Sequence, residues 1–437
     1  MRRPKVMKSL IVLNEILTNY FRSIQSAKSE GQKIAYVSVG FPVEILYSID
    51  ILPICIQTHA ALIGALKTSK FILEDVEGRL GYAADLCSEI KMSLGIALSK
   101  EKITGMGPPS PDLVVSANNV CNQITKCAEV LSHYYKVPRF FIDMPFVAKD
   151  TYSYTLQYIK SQLRNFIEFL EEYTDQKFDY SRLWETCYQT EMSRLIWRDI
   201  LQLCKHSPAP ISALDIFVHM VPLSSLRGKK NVVRYYELLK LEIEERVKAN
   251  DAAVPEERYR LGWDHLPIYH KTKYLSNLFS KYGGVFVVAP FLDVTTQDLT
   301  IYDQFEMNIT MMEKTDLDFS KFSAEKILEL LTHEYSMIYV NRNLDYKAKH
   351  ISSLVDEYSL DGFVFHLNRG CKSQCLSQYR LQQIIKEKFG INSLIIDGDS
   401  MDPRFFSENQ ITTRIEAFME SLKKRKNSQR SNAPYSF

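Results

Sequence analysis

Short apolar runs alternate with longer stretches of helical period along most of this chain. Residues 8 to 30 predict an amphipathic helix with Leu10, Leu13, Leu17, Phe21 and Ile24 on one side. Lys33 to Val39 reads as a first strand. Gly40-Phe41-Pro42 then opens a helix, with Pro42 in its first turn and Glu44 favourable against its dipole. Ile51 to Ile56 reads as a second strand interrupted by Pro53, and residues 72 to 99 as a helix with Cys87 inside it. Gly105-Met106-Gly107-Pro108-Pro109 is a turn. From Asp150 to about Asn250 the alternation gives way to long helical patterns, broken at Ser207-Pro208-Ala209-Pro210 and ending in a charged helix from Tyr235 to Lys248.

Strand, Pro-led helix and strand then recur as Tyr259 to Trp263, Pro267, and Gly284 to Ala289. Ser323 caps a helix running to Tyr339, with Glu325 in its first turn. A helix from Ser407 to Lys424 ends in Lys423-Lys424-Arg425-Lys426-Asn427-Ser428, expected to be a solvated tail and not a nucleic-acid surface. The pattern divides the chain into an N-terminal helix (1–32), a first α/β domain (33–150), a helical insert (151–255), a second α/β domain (256–402), and a C-terminal helix with a basic tail (403–437).

Two stretches share one layout. Asp112-Leu113-Val114-Val115-Ser116-Ala117-Asn118-Asn119-Val120-Cys121 is strand, Asn-bearing loop, cysteine, then helix. Asp361 through Phe363-Val364-Phe365-His366-Leu367-Asn368-Arg369-Gly370-Cys371 repeats it, with ten positions from aspartate to cysteine against nine. Each is followed by an apolar strand ending in aspartate, Phe140-Phe141-Ile142-Asp143 and Leu394-Ile395-Ile396-Asp397. Two such units in matching contexts point to an internal duplication with a site between the copies. A thiolate at the carboxyl end of a strand and near a helix N-terminus lies where open α/β sheets place ligands and where negative charge is stabilised.

Composition narrows the class. At 437 residues there is room for two or three domains, and 46 % apolar with 24 % charged residues is ordinary for a globular protein. A net charge of +2 gives no strong pull toward nucleic acid or membrane. Asn14 and Glu15 break the apolar run behind the basic start, so an amphipathic helix is expected there, not a signal peptide. Gly283 to Leu292 is too short for a membrane span. A cytoplasmic protein is expected.

Eight cysteines without an export signal argue for buried thiols or metal ligands over disulfides. No Gly-x-Gly-x-x-Gly follows a strand and no Walker loop occurs, so the chain is not expected to bind a nucleotide by itself. Cys121 and Cys371 read equally as small buried hydrophobes at strand ends. The repeat tips them toward facing loops, and Cys87 supplies a third thiolate. Three thiolates suit an iron–sulfur cluster better than a closed zinc site, which wants a fourth protein ligand.

Several segments together resemble the 2-hydroxyacyl-CoA dehydratase and benzoyl-CoA reductase family, in its cluster-carrying subunits. They are Val39-Gly40-Phe41-Pro42-Val43-Glu44-Ile45, Asp85-Leu86-Cys87-Ser88, Asn118-Asn119-Val120-Cys121, Pro208-Ala209-Pro210, Arg258-Tyr259-Arg260-Leu261, His366-Leu367-Asn368-Arg369-Gly370-Cys371-Lys372, and Asp399 through Thr413-Arg414-Ile415-Glu416-Ala417-Phe418. The resemblance implies two similar parallel-sheet domains, Rossmann- or flavodoxin-like, with a helical insert and a [4Fe-4S] cluster between them. Cys87, Cys121 and Cys371 look like its ligands. Cys127 and Cys375 are either packing residues or extra ligands of a larger cluster.

It further implies a related sister subunit, an ATP-hydrolysing iron–sulfur activator, and either a 2-hydroxyacyl-CoA thioester reduced toward a ketyl radical that loses hydroxide or, in the reductase branch, an aromatic-CoA whose ring is reduced. Ser38, Gly40 and Glu44 stand where a substrate carbonyl would approach, or merely turn and cap the helix. His366 and Arg369 flank the cluster loop, as tuning groups or as ordinary loop structure. Two alternatives are a double-cubane, ATP-dependent reductase of small molecules working as a homodimer, and a non-catalytic scaffold or electron-relay subunit.

Overall fold

The computed structural model describes residues 7–66, 68–98, 107–146, 153–295, 323–336 and 338–431. Four short apolar runs form the first sheet: β1 (Ile34–Val37), β2 (Leu52–Cys55), β3 (Leu113–Ala117) and β4 (Arg139–Ile142). Four more form the second: β5 (Tyr259–Asp264), β6 (Gly284–Val288), β7 (Gly362–Asn368) and β8 (Asn392–Gly398). Both sheets are parallel throughout, and both run in the same order, β2-β1-β3-β4 and β6-β5-β7-β8. The repetition in the sequence thus reappears as repeated topology.

The near-continuous apolar character of these strands follows from burial on both faces. In the first sheet Ile34, Tyr36, Leu52, Ile54 and Val114 enter one apolar cluster, while Ala35, Val37, Leu113, Val115 and Ala117 enter another. Pro53 is tolerated because β2 is an edge strand, where a missing N–H leaves no ladder bond unmade.

Long helices Ser153–Thr174, Tyr180–Leu203 and Lys230–Lys248 occupy the stretch between the sheets. The helix Ala324–Ser336 lies between β6 and β7 in sequence, yet Ile327, Leu328, Leu331 and Tyr335 bury themselves in the cluster behind the first sheet. Tertiary packing, which periodicity does not record, decides where it lies. No helix among the described residues is long and apolar enough to cross a membrane.

Three sequence expectations change. The first helix spans Lys8–Ser26 and buries Leu13, Ile16, Tyr20 and Ile24, while Leu10 is exposed. Its first turn is fixed from outside: the Glu242 carboxylate accepts from the Lys8 and Ser9 backbone N–H groups at 2.7 and 2.9 Å, satisfying two donors that have no partner within the helix. Residues 72 to 99 are not one helix. Ser69–Gly78 ends beside Gly78 and Gly81, and Ser88–Leu98 begins afresh, so Cys87 precedes a helix instead of lying within one.

The basic terminus is not simply solvated either. The last helix continues to Ser431, and Arg425 donates to the carbonyls of Asp361 and Phe389, while Lys426 reaches the Arg258 carbonyl and the Asp361 carboxylate.

Candidate active site at the paired sheet ends

A parallel sheet whose strand order reverses leaves a crevice outside the carboxyl ends of the two central strands. Here those pairs are β1/β3 and β5/β7. Their loops converge on one cavity of about 380 Å³, to which the first sheet contributes Val39, Gly40, Val120 and Cys121 and the second His265, Leu266, Asn368 and Cys371. Cys87 lines the same space.

All three cysteines stand at helix starts. Cys121 is the N-cap of Asn122–Tyr135, Cys371 the N-cap of Lys372–Phe389, and Cys87 immediately precedes Ser88–Leu98. Gln123 ties the three loops together. Two residues beyond Cys121, its Oε1 accepts from the Cys87 backbone N–H at 3.2 Å, and its Nε2 donates to the Gly370 carbonyl at 3.0 Å. The Ser88 hydroxyl donates to Asp399, which follows β8.

The repeat extends to side-chain roles. Asn118, three residues before Cys121, accepts from the Met144 N–H beyond β4 at 2.6 Å. Asn368, three before Cys371, accepts from the Ser400 N–H beyond β8 at 3.0 Å. Each asparagine locks its cysteine loop to the neighbouring strand's exit.

Gly370 has φ +77°, and a Cβ there would meet the Cys87 backbone N at 2.7 Å. Gly370→Ala should therefore cost about 3 kcal/mol, from left-handed strain plus overpacking, and push the Cys87 and Cys371 loops apart. Gly31, with φ +74° and open space where a Cβ would stand, provides a control carrying the strain alone. Denaturant midpoints compare Gly370→Ala with Gly31→Ala, and equal losses would mean that the loops can yield.

Burial holds all three thiols in the protonated form by raising their pKa values, Cys121 to about 11, with Glu89 and the other two cysteines adding to the shift at Cys87. Among the described residues no three Cys, His, Asp or Glu side chains crowd around one point as the ligands of a single metal ion would.

The other candidates do not line the cavity. Ser38 Oγ accepts from the Ala117 N–H at 3.1 Å. Glu44 accepts from Thr190 Oγ1 at 3.0 Å and from the Tyr335 hydroxyl at 2.6 Å, and burial raises its pKa. Tyr335, which does line the cavity, is also approached by Arg227 Nη1 at 2.7 Å. His366 Nδ1–H donates to the Leu266 carbonyl at 2.7 Å, and burial lowers its pKa to about 3, so it is a neutral imidazole. Arg369 pairs with Asp397 at 2.8 Å. Cys127 is 2 % exposed in the apolar core and Cys375 donates to the Asn368 carbonyl, so neither lines the cavity.

Sequence reasoning did not single out Arg194, Arg227, Glu334, Tyr335 or His265. All line the cavity, and the first two reach it from the helical stretch between the sheets. Arg194 pairs with Glu191 at 2.9 Å, and both guanidinium groups approach Glu334.

Fold and cavity define a duplicated parallel α/β protein with a cysteine-lined site at its joint switch points. Residues 38–422 match the family described as 2-hydroxyglutaryl-CoA dehydratase, D-component, and the chain belongs to that family. It is a subunit of a 2-hydroxyacyl-CoA dehydratase or benzoyl-CoA reductase-type enzyme. It is 29 % identical to the (R)-2-hydroxyisocaproyl-CoA dehydratase alpha subunit of Clostridioides difficile, over 95 % of this chain and 96 % of that one. Against the lactoyl-CoA dehydratase subunit alpha of Anaerotignum propionicum it is 30 % identical, covering 91 % and 92 %. A benzoyl-CoA reductase subunit of Thauera aromatica is 25 % identical, covering 96 % of each.

Proposed function

We propose that this chain is the iron–sulfur subunit of an ATP-activated radical 2-hydroxyacyl-CoA dehydratase, working in the cytoplasm beside a related sister subunit. Its two sheets are read as similar flavodoxin-like domains, with a [4Fe-4S] cluster held between them by Cys87, Cys121 and Cys371. One observation carries this: three cysteines from three loops head three helices, line one cavity, and are joined through Gln123.

The donor set fits. A cuboidal cluster spreads its thiolates over separate corner irons, so its ligands need not crowd around one point, and three of them leave a corner open. When bound, the cluster supplies a low-potential electron and a Lewis-acidic iron for the CoA thioester. The protein's own groups do the rest. Leu62, Ile90, Phe217, Met220, Val221 and Phe291 make an apolar wall that excludes water and receives the acyl chain.

Arg194 and Arg227 are already matched by Glu191, Glu334 and the Tyr335 hydroxyl, so a carboxylate on the acyl chain would find its cations engaged. An apolar or aromatic chain is favoured. Glu44 positions the Tyr335 hydroxyl, His366 positions Leu266, and Ser38 seats the end of β1 against β3.

Dehydration is preferred to ring reduction because the family model is described as a dehydratase component and dehydratase alpha subunits, at 22 to 30 %, include the two at 29 and 30 %, against 25 % for a reductase subunit. Burial of Cys127 in the apolar core and engagement of Cys375 away from the cavity favour one cluster over a double cubane. The test is anaerobic incubation of the complex, activator, ATP and reductant with 2-hydroxyacyl-CoA thioesters, following loss of water by mass. Conversion is expected for chains with apolar ends. No conversion of any 2-hydroxyacyl-CoA, with reduction of an aromatic CoA thioester in its place, would move the chain to the reductase branch.

A further inference from the structure

The cavity contains two hydrogen-bond donors that the protein itself does not use. His265 directly follows β5 and has φ +80°, a conformation that costs a non-glycine residue energy and that the surrounding structure must enforce. It is 2 % exposed, and its Nδ1 accepts the Leu266 backbone N–H at 2.6 Å. Burial lowers its pKa to about 4, so the ring is neutral, and with Nδ1 accepting, the proton sits on Nε2. That Nε2 has no partner among the described residues.

Gln374 is 3 % exposed in the first turn of the helix headed by Cys371. Its Oε1 is held by Lys347 Nζ at 2.9 Å, which settles the amide orientation, and its Nε2 likewise has no partner among the described residues. Both side chains line the cavity that the three cysteines line.

A buried donor without an acceptor costs free energy in the protein alone, and one of the pair is held there by a strained backbone. The site therefore calls for an acceptor. A neutral imidazole N–H and an amide N–H donate hydrogen bonds without giving up a proton, so they match an oxygen that carries or gains negative charge. His366 fixes the Leu266 carbonyl while the Leu266 N–H fixes His265, so the first donor rests on a relay of two buried imidazoles.

We propose that His265 Nε2–H and Gln374 Nε2–H receive the oxygens of the substrate's reacting head, the thioester carbonyl and the neighbouring 2-hydroxyl, and that Lys347 positions Gln374 for this. The inference rests on the acyl-CoA reading above. It adds a recognition element for the 2-hydroxythioester unit, separate from whatever the apolar wall selects in the chain. The donors strengthen their bonds as charge builds on oxygen, so they favour the reduced thioester over the resting one.

The experiment measures anaerobic binding to the assembled complex by calorimetry. One ligand is a 2-hydroxyacyl-CoA, and the other is the S-alkyl-CoA thioether of the same chain, which lacks both oxygens. The wild type should prefer the thioester. Gln374→Met and His265→Asn should each weaken thioester binding by roughly threefold to tenfold, the scale of one hydrogen bond. Thioether binding and iron content should stay unchanged, and His265→Gln, whose longer amide brings an N–H to the Nε2 position that the Asn amide does not reach, should recover part of the loss. Gln374→Met lies on a regular helix and keeps the test open if the variants at the strained position fail to fold.

Equal losses for both ligands, or none, would overturn the proposal while leaving the substrate reading intact. An unchanged preference with a shifted cluster midpoint potential would overturn it too, by assigning the donors to the cluster's sulfides. If neither compound binds the wild type, the acyl-CoA reading itself has failed, and this inference with it.

Discussion

We expect Cys371→Ala and Cys121→Ala each to reduce iron from about four atoms per chain to less than one, while Cys187→Ala and Cys204→Ala should keep the full complement. The contrast follows from placement. Cys121 and Cys371 head helices and line the cavity, and removing either would leave the proposed cluster only two of its three thiolates. Cys187 lies within the helix Tyr180–Leu203, and Cys204 caps that helix in the apolar core, with neither lining the cavity. Core replacements of that size cost about 1 kcal/mol of stability without touching a ligand. Cys87→Ala belongs with the first pair, because the helix break puts Cys87 at a helix start beside Gly370. Iron analysis of purified variants, with circular dichroism to confirm folding, decides the matter. Iron loss that tracked Cys187 or Cys204 would place the cofactor elsewhere.

The second large effect is in turnover. With its sister subunit and a suitable 2-hydroxyacyl-CoA, the protein should give no product above background until an activator, ATP and a strong reductant are all present. Omitting ATP alone should abolish conversion. The sequence carries no phosphate-binding glycine loop, and under the proposed mechanism the energy that raises an electron to the required potential would come from another chain. Product is followed by mass under anaerobic conditions. Full turnover without ATP or activator would identify a conventional hydro-lyase in which a cluster serves only as a Lewis acid.

The parts of this architecture that were legible in the sequence are those with strong local signals. The paired strand-loop-cysteine units gave β3 and β7 and placed Cys121 and Cys371 at helix starts, because apolar runs ending in Asn and Gly constrain the backbone within a few residues. Cys87 was read as a third thiolate inside a helix, whereas it immediately precedes one. Gly78 and Gly81 carried the break, and the surrounding helical periodicity outweighed them.

The remainder of the wall was not legible, because it is assembled from distant segments. Tyr335 reaches Glu44 only because the helix Ala324–Ser336 crosses to the first sheet, a matter of packing across 291 positions. Arg194 and Arg227 looked like ordinary charges on helical stretches until the fold turned them inward. Ser38, Glu44 and His366 were drawn to the right sheet ends, where they support the wall without lining the cavity.

The most direct test of the central claim is the iron and acid-labile sulfide content of the wild-type chain, purified or reconstituted without oxygen. The account predicts a brown protein with about four of each per polypeptide. About eight of each would replace the single cluster with a double cubane, and a colourless, iron-free protein would contradict the assignment of Cys87, Cys121 and Cys371 outright.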